Sequence, residues 1–340
     1  SKDGALLLEP SRTNLITYSS DLSVLSKVSV GIASVPLTTS NYGIAPDGTM
    51  TATRVVFNLN GGTTNQDRSI LRQSISTGDY YLSIYVKSTN GTEQKVMWHD
   101  GSEFNTTTVT NEWIRITYDS RSGVSWGGIA LNGTSGVDSS DILVWGFQVE
   151  VGNVSSYIPT QGSIQTRVAE TASGSGNSEV FNDSEGVLFA DISPLADDGT
   201  FRMIGIFDSQ TSNVDRIQIY YRSDADKMSF LIEENNVNQF VKTLDINTTQ
   251  YNKCAFQYGN TSSVYINGFK LAEETGITIP NNLQRLSFNE QNGGNDFYGK
   301  TKEISYYDTA LTDLELETLT SYRTWLSMVN ELNLNVIYNG

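Results

Sequence analysis

The chain has 340 residues and a formal net charge of −16, because 38 Asp and Glu outnumber 22 Lys and Arg. Its length accommodates two domains that each bury a core of their own. The cations are scattered singly, so the sequence lacks the basic surface of a nucleic-acid-binding protein. The single cysteine excludes an intrachain disulfide, and no apolar run is long enough for insertion into a membrane.

The first half contains a series of short strand-like segments. Runs rich in Val, Ile, Thr, Tyr and Phe are separated by Asn, Ser and Gly at intervals of about 8–12 residues, which is typical of sandwiches and barrels. This pattern predicts strands at 51–59, 79–88, 94–99, 112–120 and 141–151.

The segment 79–88 alternates clearly between two faces. Tyr81 and Tyr85 lie on one face, where they would meet solvent or a ligand. The residues of the opposite face belong in a core: Tyr80, Leu82, Ile84 and Val86.

A change in composition divides the chain. In "TASGSGNSE" (171–179) the apolar residues disappear, and Gly and Ser indicate flexible coil. We therefore predict one domain at 1–171, a linker at 172–180 and a second domain at 181–340.

The second half continues as strands and then changes to a helix. Asn267-Gly268 stands between two alternating runs and predicts a tight hairpin, because both central residues need positive φ. Near the C-terminus, Thr312 and Glu315 form a capping-box pattern that predicts a structural helix at 311–329. Its apolar stripe is expected to pack on its own sandwich or on a sister chain, and comprises Leu311, Leu314, Leu319, Tyr322, Trp325, Leu326 and Val329.

An ordered set of motifs covers nearly all of residues 5–171. It includes "LLLEPSRTNLI" (6–16), "APDGTMTATRV" (45–55), "TNEWIRITYD" (110–119) and "LVWGFQVEVGNVSSYIPTQGSIQTRVAET" (143–171). The set resembles the carbohydrate-binding domains of phage tail fibres and other virion proteins. That resemblance implies a jelly-roll sandwich in a virion component that contacts cell-surface polysaccharide.

Residues 180–330 resemble a concanavalin A-like or laminin-G-like sandwich. The motifs are the hairpin "VYINGFKL", the strand "KTKEISYYDTAL" and the helix "TDLELETL" that follows it. The expected fold class is therefore all-β: a jelly roll, then a concanavalin A-like sandwich, with a short C-terminal helix.

Catalytic motifs are missing. His99 is the sole histidine, no G-x-S-x-G sequence accompanies it, and neither a P-loop nor a G-x-G-x-x-G motif occurs. Concanavalin-like glucanases resemble one another in a strand that carries acidic residues at alternate positions. The segments around Glu150 and Glu233 lack this array. We therefore expect a binding protein and not an enzyme.

Sugar binding requires aromatic faces and polar hydrogen-bonding groups. The leading cluster is Trp98, His99 and Asp100, at a strand end entering a Gly-containing loop; the alternative is that Trp98 belongs to the core. The further candidates are Tyr81, Tyr85 and Trp126 in the first domain, and Asp296 and Tyr298 in the polar loop 289–298.

The jelly-roll resemblance also implies a structural Ca²⁺. Glu9 and Asp141 are the candidate ligands, although the last strand lacks the paired acids that accompany such a site. No other cofactor is expected.

The leading hypothesis is a virion-associated adhesin, a phage tail-fibre component that binds host-surface polysaccharide. Other virion proteins are the expected partners, and fibre proteins are often trimers, so a homotrimer is a further candidate state. The alternatives are a structural spacer or decoration of a fibre, neck or capsid, and a polysaccharide-degrading enzyme or its accessory module.

Overall fold

A computed structural model of the chain describes residues 4–101, 105–119, 122–208 and 214–322. These residues form mostly antiparallel strands, which confirms the all-β fold class. The chain divides into two compact units: the first unit is Ser11–Val168, and the second unit combines Ser1–Pro10 with Ala169–Gly340.

The strands are numbered in chain order as β1 (Leu6–Leu8), β2 (Arg12–Asn14), β3 (Ser26–Val30), β4 (Leu37–Gly43), β5 (Ala52–Asn58), β6 (Arg68–Gly78), β7 (Tyr81–Ser88), β8 (Gln94–His99), β9 (Thr106–Val109), β10 (Ile114–Asp119), β11 (Val124–Asn132), β12 (Ser139–Glu150), β13 (Gln165–Arg167), β14 (Gly186–Pro194), β15 (Arg202–Phe207), β16 (Arg216–Tyr221), β17 (Lys227–Glu234), β18 (Val237–Asp245), β19 (Asn252–Tyr258), β20 (Thr261–Ile266), β21 (Phe269–Thr275), β22 (Arg285–Ser287) and β23 (Gly299–Tyr307). The helix α1 spans Asp313–Thr320.

The first unit is a sandwich of two five-stranded sheets. One sheet has the order β10-β7-β12-β5-β4, the other has the order β3-β6-β11-β8-β9, and β13 pairs with β2 in a separate ribbon. The predicted inner face of β7 is confirmed, because Leu82, Ile84 and Val86 are fully buried and Tyr80 packs in the same core. Alternation therefore predicted correctly which β7 side chains form the core.

The second unit is also a sandwich. A six-stranded sheet in the order β1-β23-β14-β19-β20-β21 faces a five-stranded sheet in the order β18-β17-β16-β15-β22. The core between them contains Ile192, Ile219, Phe230 and Phe256, and Cys254 is completely buried within it. Burial raises the pKa of the Cys254 thiol far above its usual range.

The N-terminal strand belongs to the second unit. In β1, Leu6 pairs with Thr301 and Leu8 pairs with Gly299, so β1 forms the edge of the six-stranded sheet. Leu8 is only 5% exposed and packs in the core of this unit. The sequence-based division placed β1 with the first domain, but its backbone pairing with β23 places this strand in the second unit.

The segment predicted as a flexible linker is bonded to β22. The backbone N–H of Ser175 donates to Leu286, and the N–H of Leu286 donates back to Ser175. The N–H of Gly174 also donates to the Ser287 hydroxyl. Residues 173–180 are exposed, but Ala172 packs against the core of the second unit and hydrogen bonds hold Gly174 and Ser175, so the prediction of free coil is wrong for this part of the segment.

The predicted hairpin is confirmed. Asn267 and Gly268 connect β20 to β21, and their φ angles are +50° and +90°. Glycine and asparagine tolerate this left-handed conformation better than other residues do.

The C-terminal helix is shorter than predicted. The capping box of Thr312 and Glu315 is confirmed, but α1 ends at Thr320. Leu316 is the fully buried leucine of α1, whereas Leu314 is 72% exposed, so the expected stripe is wrong at that position. The predicted positions Trp325, Leu326 and Val329 lie outside the described residues.

Candidate functional site

The leading sequence cluster is buried. Trp98 is 2% exposed, lies in the core of the first unit, and stacks on Tyr118 with ring centroids 5.9 Å apart. His99 and Asp100 are also 2% exposed. A sugar-binding aromatic residue must expose a ring face, so the structure corrects the prediction that these three residues project together toward a ligand.

Polar contacts hold His99 and Asp100 in place. The His99 Nε2 atom lies 3.2 Å from Arg72 Nη1, and the Tyr118 hydroxyl donates to Asp100 at 3.3 Å. Burial, and then the neighbouring Arg72, lower the pKa of His99 to about 4, against an opposing effect of Asp100. His99 is therefore neutral at neutral pH.

This pKa predicts a loss of stability in acid. Because the unfolded chain protonates His99 near its ordinary pKa of 6.5 while the folded chain does so at about 4, the unfolded state gains protons first as pH falls. We expect the wild type to lose about 2 kcal/mol more unfolding free energy than His99→Gln between about pH 7.5 and pH 5. Guanidinium unfolding followed by tryptophan fluorescence at both pH values would measure this difference. Equal losses of unfolding free energy in both proteins would contradict the lowered pKa of His99.

Trp126 is half-buried and already covered on one side. The Arg72 guanidinium carbon lies 3.6 Å from the centre of the Trp126 ring. This is a cation–π contact within the chain, so the ring face that Arg72 covers is not available to a ligand.

Tyr81 and Tyr85 lie on the outer face of β7, as alternation predicted, and both are half-buried. The Tyr85 ring lies 5.7 Å from the Trp145 ring, and Trp145 lies 4.3 Å from Tyr157. Arg115 approaches the Tyr85 ring at 5.5 Å. Tyr85 is thus part of a small aromatic cluster, whereas Tyr81 is aligned with Asp119 and Glu150 on the neighbouring strands.

Asp296 and Tyr298 contact each other in the second unit. The Tyr298 hydroxyl donates to Asp296 Oδ2 at 2.9 Å, and both side chains are half-buried. The loop is fastened to β15, because the backbone N–H of Met203 donates to the Asn295 carbonyl. This arrangement stabilises the loop.

The two candidate metal ligands lie in different units. Asp141 accepts a hydrogen bond from Arg54 Nε at 2.9 Å, and Arg54 lowers the pKa of Asp141. Glu9 is 3% exposed, and its backbone N–H donates to Glu170. Asp141 therefore fits an ion pair with Arg54 better than a Ca²⁺ site, and no group of three or more metal-ligating side chains occurs within the described ranges.

A cavity of about 320 Å³ lies at one end of the six-stranded sheet. Three parts of the chain form it: the end of β14 with residues 195–197, the loop 248–251 before β19, and the start of β23. The lining residues are Ser193, Pro194, Leu195, Ala196, Asp197, Thr248, Thr249, Tyr251 and Lys300.

Hydrogen bonds fix the loops that form the cavity. Asp197 accepts the backbone N–H of Asp226 at 3.0 Å, and the Thr248 hydroxyl donates to the Asp226 carboxylate at 2.8 Å. The backbone N–H of Leu195 donates to the Tyr298 carbonyl at 3.0 Å. The cavity is therefore held in shape by its own loops.

The lining combines the groups that bind sugars. Tyr251 provides an aromatic ring, but Lys302 Nζ lies 4.1 Å from its centre and covers one face, so a sugar would have to pack on the opposite face. Thr248, Thr249 and Asp197 provide hydroxyl and carboxylate groups. Aromatic rings pack on sugar C–H surfaces, and such polar groups bind sugar hydroxyls. Sequence analysis missed these residues, because "NTTQYN" (247–252) resembles the many other polar turns of the chain.

No curated protein sequence matches the chain significantly. Among similar solved structures, the Ruminococcus gnavus IT-sialidase CBM40 is 12% identical with a TM-score of 0.37, covering 44% of this chain and 94% of that one. The leech intramolecular trans-sialidase is 17% identical with a TM-score of 0.37, covering 45% and 27%. Mouse laminin alpha1 domains LG4-5 are 10% identical with a TM-score of 0.30, covering 83% and 91%.

A family model matches part of the second unit. Residues 190–317 match the concanavalin A-like lectin/glucanases superfamily, in agreement with the resemblance seen in the sequence. All residues that line the cavity lie within this matched segment.

Proposed function

We propose that the chain is a non-catalytic glycan-binding protein and that the cavity around Tyr251 is its sugar site. The observation that carries the proposal is the cavity itself: an aromatic ring, two hydroxyls and a carboxylate converge within the segment that matches the lectin and glucanase superfamily.

The shape of the cavity supports binding. Asp197, Thr248 and Asp226 are linked by hydrogen bonds before any ligand arrives, so less conformational entropy is lost when a ligand binds. A volume of about 320 Å³ accommodates a small saccharide unit.

The composition of the cavity favours binding over hydrolysis. Glycosidases use two carboxyl groups, roughly 5–10 Å apart, on either side of the scissile bond. Asp197 is the sole carboxylate among the residues that line the cavity, and its oxygen already accepts the N–H of Asp226.

We propose further that the protein is a phage tail-fibre adhesin, located outside the cell on the virion, that binds host-surface polysaccharide. The motifs of residues 5–171 support this role. Other virion proteins would be its partners, and the chain would form a homotrimer, as fibre proteins often do. No helix in the described ranges is long and apolar enough to cross a membrane.

A glycan array with the full chain tests this proposal, followed by titration of the selected glycan. We expect Tyr251→Ala to weaken binding about ten-fold or more, because the ring face for the sugar is lost. Tyr42→Ala is the matched control, since Tyr42 is 45% exposed in the first unit.

Circular dichroism should show that both variants are folded. If the chain binds no glycan on the array, the alternative function of a structural spacer would be favoured instead. If the chain releases reducing ends from polysaccharide, an enzymatic function would be favoured.

A further inference from the structure

One sheet of the first unit carries cations and no carboxylate. Its strands β3, β6, β11, β8 and β9 contain Lys27, Arg68, Arg72 and Lys95 but no Asp or Glu. The other sheet of this unit balances three cations against three acids: Arg54, Lys87 and Arg115, and Asp119, Asp141 and Glu150. We name the sheet without acids the basic sheet; it is positive within a chain of net charge −16.

Three of its cations lie on the outer face of the basic sheet. Leu71 and Val96 belong to the core of the first unit, so the residues that alternate with them on β6 and β8 point outward. Arg68, Arg72 and Lys95 occupy such positions, and all three are half-buried. The outer face therefore presents positive charge to solvent.

Arg72 is held in one orientation on this face. Its guanidinium carbon lies 3.6 Å from the centre of the Trp126 ring, and its Nη1 donates to His99 Nε2 at 3.2 Å. Gly128 stands opposite Arg72 on β11, where an added Cβ would lie 2.7 Å from the Cβ of Arg72. The glycine leaves room for Arg72, and the stack and the hydrogen bond fix its guanidinium before a ligand arrives.

Arg72 has no carboxylate partner among the described residues. Burial alone lowers its pKa, whereas a hydrogen-bonded Asp141 raises the pKa of Arg54. After burial, the charge of Arg72 is the largest influence that lowers the pKa of His99, and it outweighs the opposing effect of Asp100. A half-buried cation without a counter-ion is costly, and a bound anion would offset that cost.

Acidic residues directly precede β6 and directly follow β8, but both accept hydrogen bonds elsewhere. The Asp67 carboxylate accepts the backbone N–H of Thr64 at 3.0 Å. The Asp100 carboxylate accepts the hydroxyl of Tyr118, which lies on β10 of the other sheet. Neither carboxylate forms an ion pair with Arg72.

Exposed hydroxyl groups accompany the cations on this face. Thr106 and Thr108 lie outward on β9, and Lys95 Nζ donates to the Thr108 hydroxyl at 2.6 Å. Ser74 is exposed on β6, two positions after Arg72. The face thus combines cations with hydroxyls, which suits a ligand that carries both negative charges and hydroxyl groups.

We propose that the outer face of the basic sheet binds a carboxylate-bearing polysaccharide, with Arg72 contacting a sugar carboxylate. The planar guanidinium matches the two oxygens of a carboxylate, and Arg68 and Lys95 would meet further carboxylates of the same chain. A nucleic acid fits less well. Its duplex carries one charge per about 1.7 Å, and the acidic remainder of this protein would repel it.

The only histidine of the chain gives a direct readout of this site. NMR spectroscopy of the full chain with isotope-labelled histidine would follow a titration with oligogalacturonate, and neutral dextran oligomers are the control. Because His99 Nε2 lies 3.2 Å from Arg72 Nη1, an anion bound at Arg72 should shift the signals of the His99 ring. We expect a saturating shift with oligogalacturonate and none with dextran.

Substitutions locate the bound chain. We expect Arg72→Gln to raise the dissociation constant for oligogalacturonate, measured by calorimetry, about ten-fold or more, because charge-assisted hydrogen bonds are lost. Lys87→Gln is the matched control: it removes one positive charge from the outer face of the other sheet and should leave binding unchanged. Tyr251→Ala should also leave it unchanged, which separates this site from the cavity of the second unit.

The proposal is overturned if oligogalacturonate leaves the His99 signals unshifted, or if Lys87→Gln or Tyr251→Ala weakens binding as much as Arg72→Gln does. It is also overturned if single-stranded DNA or polyglutamate binds more tightly than oligogalacturonate at the same salt concentration. Should circular dichroism show that Arg72→Gln is unfolded, Lys95→Gln replaces it with an expected increase of about three-fold, and the same outcomes decide.

Discussion

Trp98→Ala is expected to cost the first unit about 3–5 kcal/mol of unfolding free energy, because it removes a large core side chain and leaves a cavity. Trp98 is 2% exposed and stacks on Tyr118 between the two sheets. The protein has five tryptophans, and four of them lie in residues 11–168, so tryptophan fluorescence during guanidinium unfolding reports mainly on the first unit.

Tyr42→Ala is the control for this measurement. Tyr42 is 45% exposed and contacts Arg54 through a cation–π interaction, so its loss should cost less than about 1 kcal/mol. If Trp98→Ala were as mild as Tyr42→Ala, Trp98 would be exposed, and its original interpretation as a sugar-binding residue would be restored.

Leu8→Ala should destabilise the second unit by about 2–5 kcal/mol, which is the usual cost of removing a buried leucine side chain. Leu8 lies in the core of that unit although it precedes the first unit in the sequence. Cys254 is the sole cysteine and is fully buried in the same core, so the rate at which a thiol reagent labels it reports the opening of the second unit.

Leu6→Ala is a close control, because Leu6 lies on the same strand and is 49% exposed. Leu6→Ala should lower the unfolding free energy of the second unit by much less than Leu8→Ala does. A large effect of Leu8→Ala on tryptophan fluorescence with unchanged thiol labelling would show that β1 stabilises the first unit instead.

Local patterns predicted the fold well. The alternation in 79–88 predicted the buried face of β7, and Asn267-Gly268 predicted the turn between β20 and β21. Both depend on neighbouring residues alone, because side-chain direction and turn conformation are local properties. The capping box of Thr312 and Glu315 was predictable for the same reason.

Pairing between distant segments was not predictable in this way. The Gly- and Ser-rich residues 172–180 have the composition of a linker, yet Ser175 exchanges backbone hydrogen bonds with Leu286. Backbone groups of any residue type except proline can make such bonds, so composition carries little information about them. The placement of β1 beside β23 escaped prediction for the same reason.

The candidate site was the least predictable part. The cavity combines residues 193–197, 248–251 and 300, which are distant in sequence and have no motif in common. For Trp98, alternation does not distinguish the end of a strand from its buried middle, and exposure depends on neighbouring strands. The aromatic residues most noticeable in the sequence were therefore mainly packing residues.

The central claim is that the cavity around Tyr251 binds a glycan. A crystal structure of the protein with the glycan selected on the array tests this claim most directly. We predict a sugar ring against Tyr251, with its hydroxyls within hydrogen-bonding distance of Thr248, Thr249 or Asp197. A sugar bound on the outer face of β7 beside Tyr81, with the cavity around Tyr251 empty, would contradict it.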